Sequence, residues 1–249
     1  MSLLIIIAIF TTFGVALLAG AYPFLKKIHN AHDFDFPIGE SLAVGVFLGA
    51  GLMHMLADAA RDFYQQGFHF PLAFFLAGVV FLVLLLLEHI EREIQHHQGE
   101  SSKRFAVIAV LMLSLHSFLA GAALGLTEHV SIAFVMLLAI LAHKWAASFS
   151  LAVQINKSDL STKTGVWLFL LFAIMTPMGV LFGQTITYTL MHMPLLAPIF
   201  TALAAGTFLY FGSLHGLKQS VLVEKCCNLK HFIFVNLGFL LMAVIALTL

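Results

Sequence analysis

Two stretches decide the fold: Leu111–Gly125, L-M-L-S-L-H-S-F-L-A-G-A-A-L-G, and Leu138–Leu151, L-A-I-L-A-H-K-W-A-A-S-F-S-L. Extended to the nearest polar residues they become spans 105–127 and 131–155, in which His116 is the twelfth residue and His143 the thirteenth. A hydrocarbon layer of about 30 Å takes about 20 helical residues, so both rings lie near its midplane. An imidazole at that depth must find a partner among neighbouring helices, water or a metal ion. Function is therefore sought first between these two spans.

Working outward, the composition agrees with a membrane protein. The 249 residues are 61% hydrophobic and only 10% charged, with 25 phenylalanines. A soluble domain is nearer half apolar and a quarter charged. The first span lacks a basic leader and a small-residue cleavage site, so it reads as a mature helix rather than a signal peptide. The formal net charge is zero with thirteen neutral histidines, so neither nucleic acid nor an acidic surface is indicated as a partner, and no nucleic acid is expected. Cys226 and Cys227 are adjacent and imply no disulfide framework.

Apolar runs give eight spans: 2–25, 39–61, 71–91, 105–127, 131–155, 164–190, 195–217 and 231–249. The chain reads as one transmembrane domain over residues 1–249, with spans 1–3 in residues 1–91, a central pair in 105–155, spans 6–8 in 164–249, and a cytoplasmic loop at 92–104. Placing the amino terminus outside puts Lys26, Lys27, Arg92, Lys103, Arg104, Lys157, Lys163, Lys218, Lys225 and Lys230 in inner loops, against Arg61 alone in an outer one. That bias orients the chain with both termini extracytoplasmic, and a cell or inner membrane is the expected location. Tyr22, Tyr64, Trp167 and Tyr188 fall near span ends, as interfacial aromatics do.

Span 2 reads L-A-V-G-V-F-L-G-A-G-L-M-H from Leu42, and span 7 reads L-A-A-G-T-F-L-Y-F-G-S-L-H from Leu203. Seven of the thirteen positions are identical, and both stretches end in histidine, His54 and His215. The two spans run in opposite directions, so spans 1–3 and 6–8 read as an inverted repeat around spans 4 and 5, a 3+2+3 bundle. Gly45/Gly49, Gly121/Gly125 and Gly179/Gly183 are G-x-x-x-G spacings that let helices pack closely in lipid. Pro177 is expected to kink span 6. The loop at 92–104, with His96 and His97 among Gln, Gly and Ser, reads as a solvated linker, with weak metal capture as its alternative.

Polar side chains within the spans form a ladder of metal-ligating types. From outside to inside it runs through His54 and Asp58, then His116 and His143, then Glu88 and His89, then His215. His54 and Asp58 at i and i+4 share a helix face. Imidazole suits Zn, Fe, Cu and Ni, and carboxylate adds charge that favours a divalent ion. Lys144 costs about 2.5–3.5 kcal/mol at a helix centre unless it pairs or faces water. Either it ties to a carbonyl or an acid, or its ammonium stands where a cation would otherwise bind. No G-x-x-x-x-G-K-[ST] occurs, so no nucleotide fuels the chain directly. An intramembrane metal-dependent hydrolase would need a carboxylate at the depth of the two histidines, and spans 4 and 5 have none there.

At H-S-F-L-A-G-A-A-L-G and H-K-W-A-A-S-F-S-L the sequence resembles the ZIP family of zinc and iron transporters, as do G-V-F-L-G-A-G-L-M-H-M-L-A-D in span 2, M-T-P-M-G in span 6 and A-A-G-T-F-L-Y in span 7. The resemblance implies eight helices, outer termini and uptake of Zn(II) or a similar ion as substrate rather than cofactor. It places the transport site on His116, Ser117 and His143. It also places Ala120 and Ala147 where family members carry acids, and Lys144 where binuclear members carry another, as the lysine-bearing branch does. His215 replaces an acid and Ala57 a proline. The missing acids imply weaker metal binding, and leave a transport-deficient sensor or partner protein as the alternative. The expected partners are the ion, the bilayer and, as a homodimer, a second copy of the chain.

Overall fold

A helix whose backbone bonds are all internal is the natural way for these apolar runs to cross lipid. The computed structural model of the protein describes residues 3–25, 36–98, 102–189, 193–214 and 229–247, and every long element among them is helical. Among the described residues nine α-helices run in order: α1 Leu3–Leu25, α2 Pro37–Gly49, α3 Ala57–Gln65, α4 Leu72–Gln98, α5 Ser102–Leu126, α6 Val130–Lys157, α7 Thr162–Thr189, α8 Leu196–Tyr210 and α9 Leu229–Ala246. A π-helical stretch, Ala50–Leu56, joins α2 to α3, so the nine make eight spans. The fold is the all-α, eight-span one expected.

Local chemistry sets the ends. Pro37 opens α2 at its first turn, where a missing N–H costs nothing. Ser161 caps α7 by accepting the Thr164 N–H at 3.2 Å. After α3, Gly67 takes a left-handed φ of 85°. The Phe68 N–H then closes on the Phe63 carbonyl at 3.0 Å, which turns the chain back into α4.

One expectation changes, and two local features stand out. The loop at 92–104 is mostly helix, because α4 continues to Gln98 and α5 begins at Ser102. Glu88 with Arg92, and His89 with Glu93, supply i,i+4 pairs that extend α4 past the apolar run. α7 carries Pro177 inside its Thr162–Thr189 span, the position where the kink is expected. Span 2 does not run as uniform α-helix, since a π turn inserts an extra residue and re-aims the side chains of α3. The side chains of His96 and His97, and residues His215, Cys226 and Cys227, lie outside the described residues.

The helices sort into two bundles. α1, α5, α6 and α7 pack on one another, and α2 to α4 with α8 and α9 form the other group. The bundles meet chiefly where α5 lies on α8 and α2 lies on α6. Within the first bundle, a β-carbon at Gly121 or Gly125 would run into the Thr176 or Val180 carbonyl of α7, and one at Gly179 or Gly183 into the Phe118 or Ala122 carbonyl of α5. Backbone therefore rests on backbone, as small-residue spacings allow in lipid. Gly45 on the Val235 carbonyl and Gly238 on the Leu42 carbonyl do the same between α2 and α9.

Candidate metal site

His116 stands at the middle of α5 and His143 at the middle of α6, and because these helices pack directly the two rings meet inside the protein. Each is 2% exposed, and their centroids are 5.8 Å apart at 72°. Phe208 of α8 closes over both. Its ring lies against His116 at 3.6 Å and meets His143 edge-on at 4.9 Å.

The surroundings settle which nitrogen of His116 is available. Its Nδ1 lies 3.0 Å from the Ala204 carbonyl and 2.7 Å from Thr207 Oγ1. A carbonyl only accepts, so Nδ1 carries the proton and Nε2 keeps the lone pair a metal needs. Thr207 donates its own proton to the Ala204 carbonyl at 2.6 Å, which leaves its oxygen to accept from the ring. This is the support that ligating histidines use to hold tautomer and angle. His143 Nδ1 is buried as well.

Lys144, also 2% exposed, points into the first bundle. Its Nζ donates to Ser117 Oγ at 3.0 Å and to Thr176 Oγ1 at 2.9 Å, and stands 4.0 Å above the centre of the Phe172 ring. Hydroxyls and an aromatic face thus hold the ammonium, rather than the carbonyl or acid weighed from sequence. Ala120 and Ala147 are in the core, 4% and 1% exposed. Among the described residues no three His, Cys, Asp or Glu side chains come together as a ready metal cage.

The family model described as ZIP Zinc transporter matches residues 2–106 and 93–246, nearly the whole chain. The chain belongs to the ZIP zinc transporter family. It is similar to zinc transporter ZIP2 of Mus musculus, 26% identical over 82% of this chain and 83% of that protein. It is similar to zinc transporter ZIP1 of Homo sapiens, 28% identical over 72% of this chain and 68% of that protein. Protein zntD of Dictyostelium discoideum is 32% identical over 63% of this chain and 25% of its own length. As a ZIP transporter the chain is a multi-pass membrane protein that moves a divalent metal, with the ion as cargo and not as cofactor.

The remaining ladder residues of this ZIP transporter fall into separate groups. His54, 4% exposed in the π-helical stretch, has Nδ1 2.6 Å from Asp58 Oδ2, so that expected pair forms. Asp58 Oδ1 also receives Arg61 at 3.0 Å. Glu88 accepts from the Tyr210 hydroxyl and pairs with Arg92. His89 turns away: its side chain is 74% exposed and 3.9 Å from Glu93. The pattern of His and acidic residues missed Thr207, Thr176 and Phe208. Thr207 carried a signal, since the matched position in span 2 is Val46 and a mid-span hydroxyl needs a partner.

Proposed function

We propose that this transporter takes up Zn(II), or a similar divalent ion, into the cytosol through a midplane site formed by His116 and His143, with Ser117 beside it. The observation that carries the reading is the approach of two buried rings on α5 and α6 to 5.8 Å, with the Nε2 lone pair of His116 unoccupied by its hydrogen bonds. His54 and Asp58 serve as the outer approach and Glu88, with His215, as the inner exit. His89 contributes little, because it faces outward.

The 3+2+3 repeat is part of the proposal, and the packing supports it. Exchanging α1 with α7, α2 with α8, α4 with α9 and α5 with α6 turns the α5–α7 contact into α6–α1, α2–α9 into α8–α4, and α5–α8 into α6–α2, all of which exist. Phe47 and Phe208, matched in the two stretches, touch at 5.0 Å. The orientation, with outer termini, rests on the charge bias of the loops, and a cell or inner membrane is proposed with it. The homodimer enters as a further proposal, checked by the mass of the purified protein in detergent.

Two imidazoles and a hydroxyl bring no negative charge, so the ion is held loosely and released readily. This same feature favours the second reading, a ZIP protein that senses or partners without transporting. Zinc uptake into liposomes containing the purified chain decides between them. The wild type is expected to accumulate zinc, and His143→Ala to lower the rate more than about 100-fold while the protein remains folded. Unchanged uptake in His143→Ala removes the midplane assignment, and no uptake by the wild type favours the sensor.

A further inference from the structure

α4 and α5 follow one another in the chain yet barely touch, because α5 is held by α7 and α8 while α4 is held by α8. The divergence leaves an open groove of about 500 Å³, the size of a small-molecule site. Its walls are Leu87 and Ile90 of α4 and Val107, Ile108, Leu111 and Met112 of α5. Lys103 and Arg104 line it at one end, and both are exposed. Glu91, 6% exposed, is the acid in the lining and is attracted by Arg104, so Lys103 adds a second positive charge at this end.

Length and depth narrow the occupant. From Lys103 to Met112 the helix rises about 13 Å, close to half of a hydrocarbon core of about 30 Å. The groove therefore spans one leaflet. It begins where headgroups lie and ends about one turn short of His116 at the midplane. A water-soluble ligand has nothing to gain from these aliphatic walls, whereas an acyl chain matches them, and a basic mouth between spans selects an anionic headgroup.

We propose that the groove between α4 and α5 seats a single anionic phospholipid, with one acyl chain along the aliphatic walls and its phosphate on Lys103 and Arg104. The lipid bridges the two bundles, since α4 belongs to one and α5 to the other. The inference does not depend on where the metal binds.

The test is native mass spectrometry of the purified full chain with phosphatidylglycerol and phosphatidylcholine supplied in equal amounts. One phosphatidylglycerol per chain should be retained over phosphatidylcholine by on the order of tenfold. Lys103→Ala with Arg104→Ala should erase the preference. Leu111→Trp, which fills the groove, should lower retention of both lipids. Equal retention of the two lipids, a preference that survives the double substitution, or a lipid-free dimer closed over the groove overturns the proposal. Binding is read here without uptake, so failure of the transport reading would leave this result intact.

Discussion

The interior of each bundle and the seam between the bundles are built from different chemistry. Inside, glycines let backbone rest on backbone, as between α5 and α7 or α2 and α9. Across the seam the contacts are longer side chains: Phe208 against the two histidines, His116 on Thr207 and the Ala204 carbonyl, and Lys157 on Glu40. Close backbone contact has no slack, because interiors at that density do not deform gradually. Side-chain contacts can be exchanged for others at modest cost. The difference makes each bundle the stiffer unit and the seam between them the place where contacts can be exchanged.

The strongest way to break that comparison is to spoil the interior. In Gly179→Leu the new side chain meets the Phe118 carbonyl, which cannot move without shifting α5. A loss of at least about 3 kcal/mol is expected, seen as aggregation in size-exclusion chromatography. Gly14→Leu is the control, since a β-carbon there meets nothing within 4 Å. Equal behaviour of the two variants would mean that the interior is not locked by its glycines.

Next comes the hydrogen bond that crosses the seam to hold His116. Thr207→Val keeps the shape and removes the hydroxyl, and valine already occupies the matched position Val46. The chain should fold normally, while its apparent KM for zinc in liposome uptake rises about 10- to 100-fold. Thr207→Ser should recover most of the loss. A KM that does not respond would show that the Ala204 carbonyl alone orients the ring.

Lys144 sharpens the contrast from the other side, because its bonds stay within one bundle. Lys144→Met removes a cation whose insertion costs about 2.5–3.5 kcal/mol. Replacing a buried charge by an apolar side chain of similar size is often neutral or stabilising. The temperature of thermal unfolding should therefore stay unchanged or rise, and zinc should bind several-fold more tightly by calorimetry once the like charge beside His143 is gone. Collapse of the fold would instead make Lys144 the tie between α5, α6 and α7.

Much of this was legible in the sequence, for reasons that name its limits. The eight spans follow from hydropathy, which reads length well. It reads ends poorly, because Glu88 to Gln98 is polar yet helix-forming, and α4 runs on where a loop is expected. The two rings were found because a histidine at midplane must have a partner. The partner could not be named, since Thr207 is 91 residues away in the chain. His89 adjoins Glu88 in the chain but does not share its direction. Neighbours on a helix point about 100° apart, and here one faces Tyr210 while the other faces outward. The π-helical stretch around His54 left no pattern beyond its one glycine, Gly51.

The smallest expected effect lies at the end of the seam where α2 begins and α6 ends. There Lys157 Nζ sits 2.7 Å from Glu40 Oε1, with the two side chains 18% and 16% exposed, so α6 is tied to α2. Asn156 donates to the Pro23 carbonyl at 2.6 Å, and Ser41 meets His231 Nδ1 at 3.0 Å close by. If α2 and α6 must part for the ion to leave, this ion pair opposes the step in proportion to its strength. Glu40→Gln keeps a hydrogen-bonding side chain but removes the charge, which should cost the resting state about 1 kcal/mol or less. Its maximal uptake rate should rise by a few-fold with little change in KM, because the midplane rings are untouched. A slower rate would mean that the pair forms on the way to release rather than before it, and this end of the seam would then tighten during transport instead of opening for it.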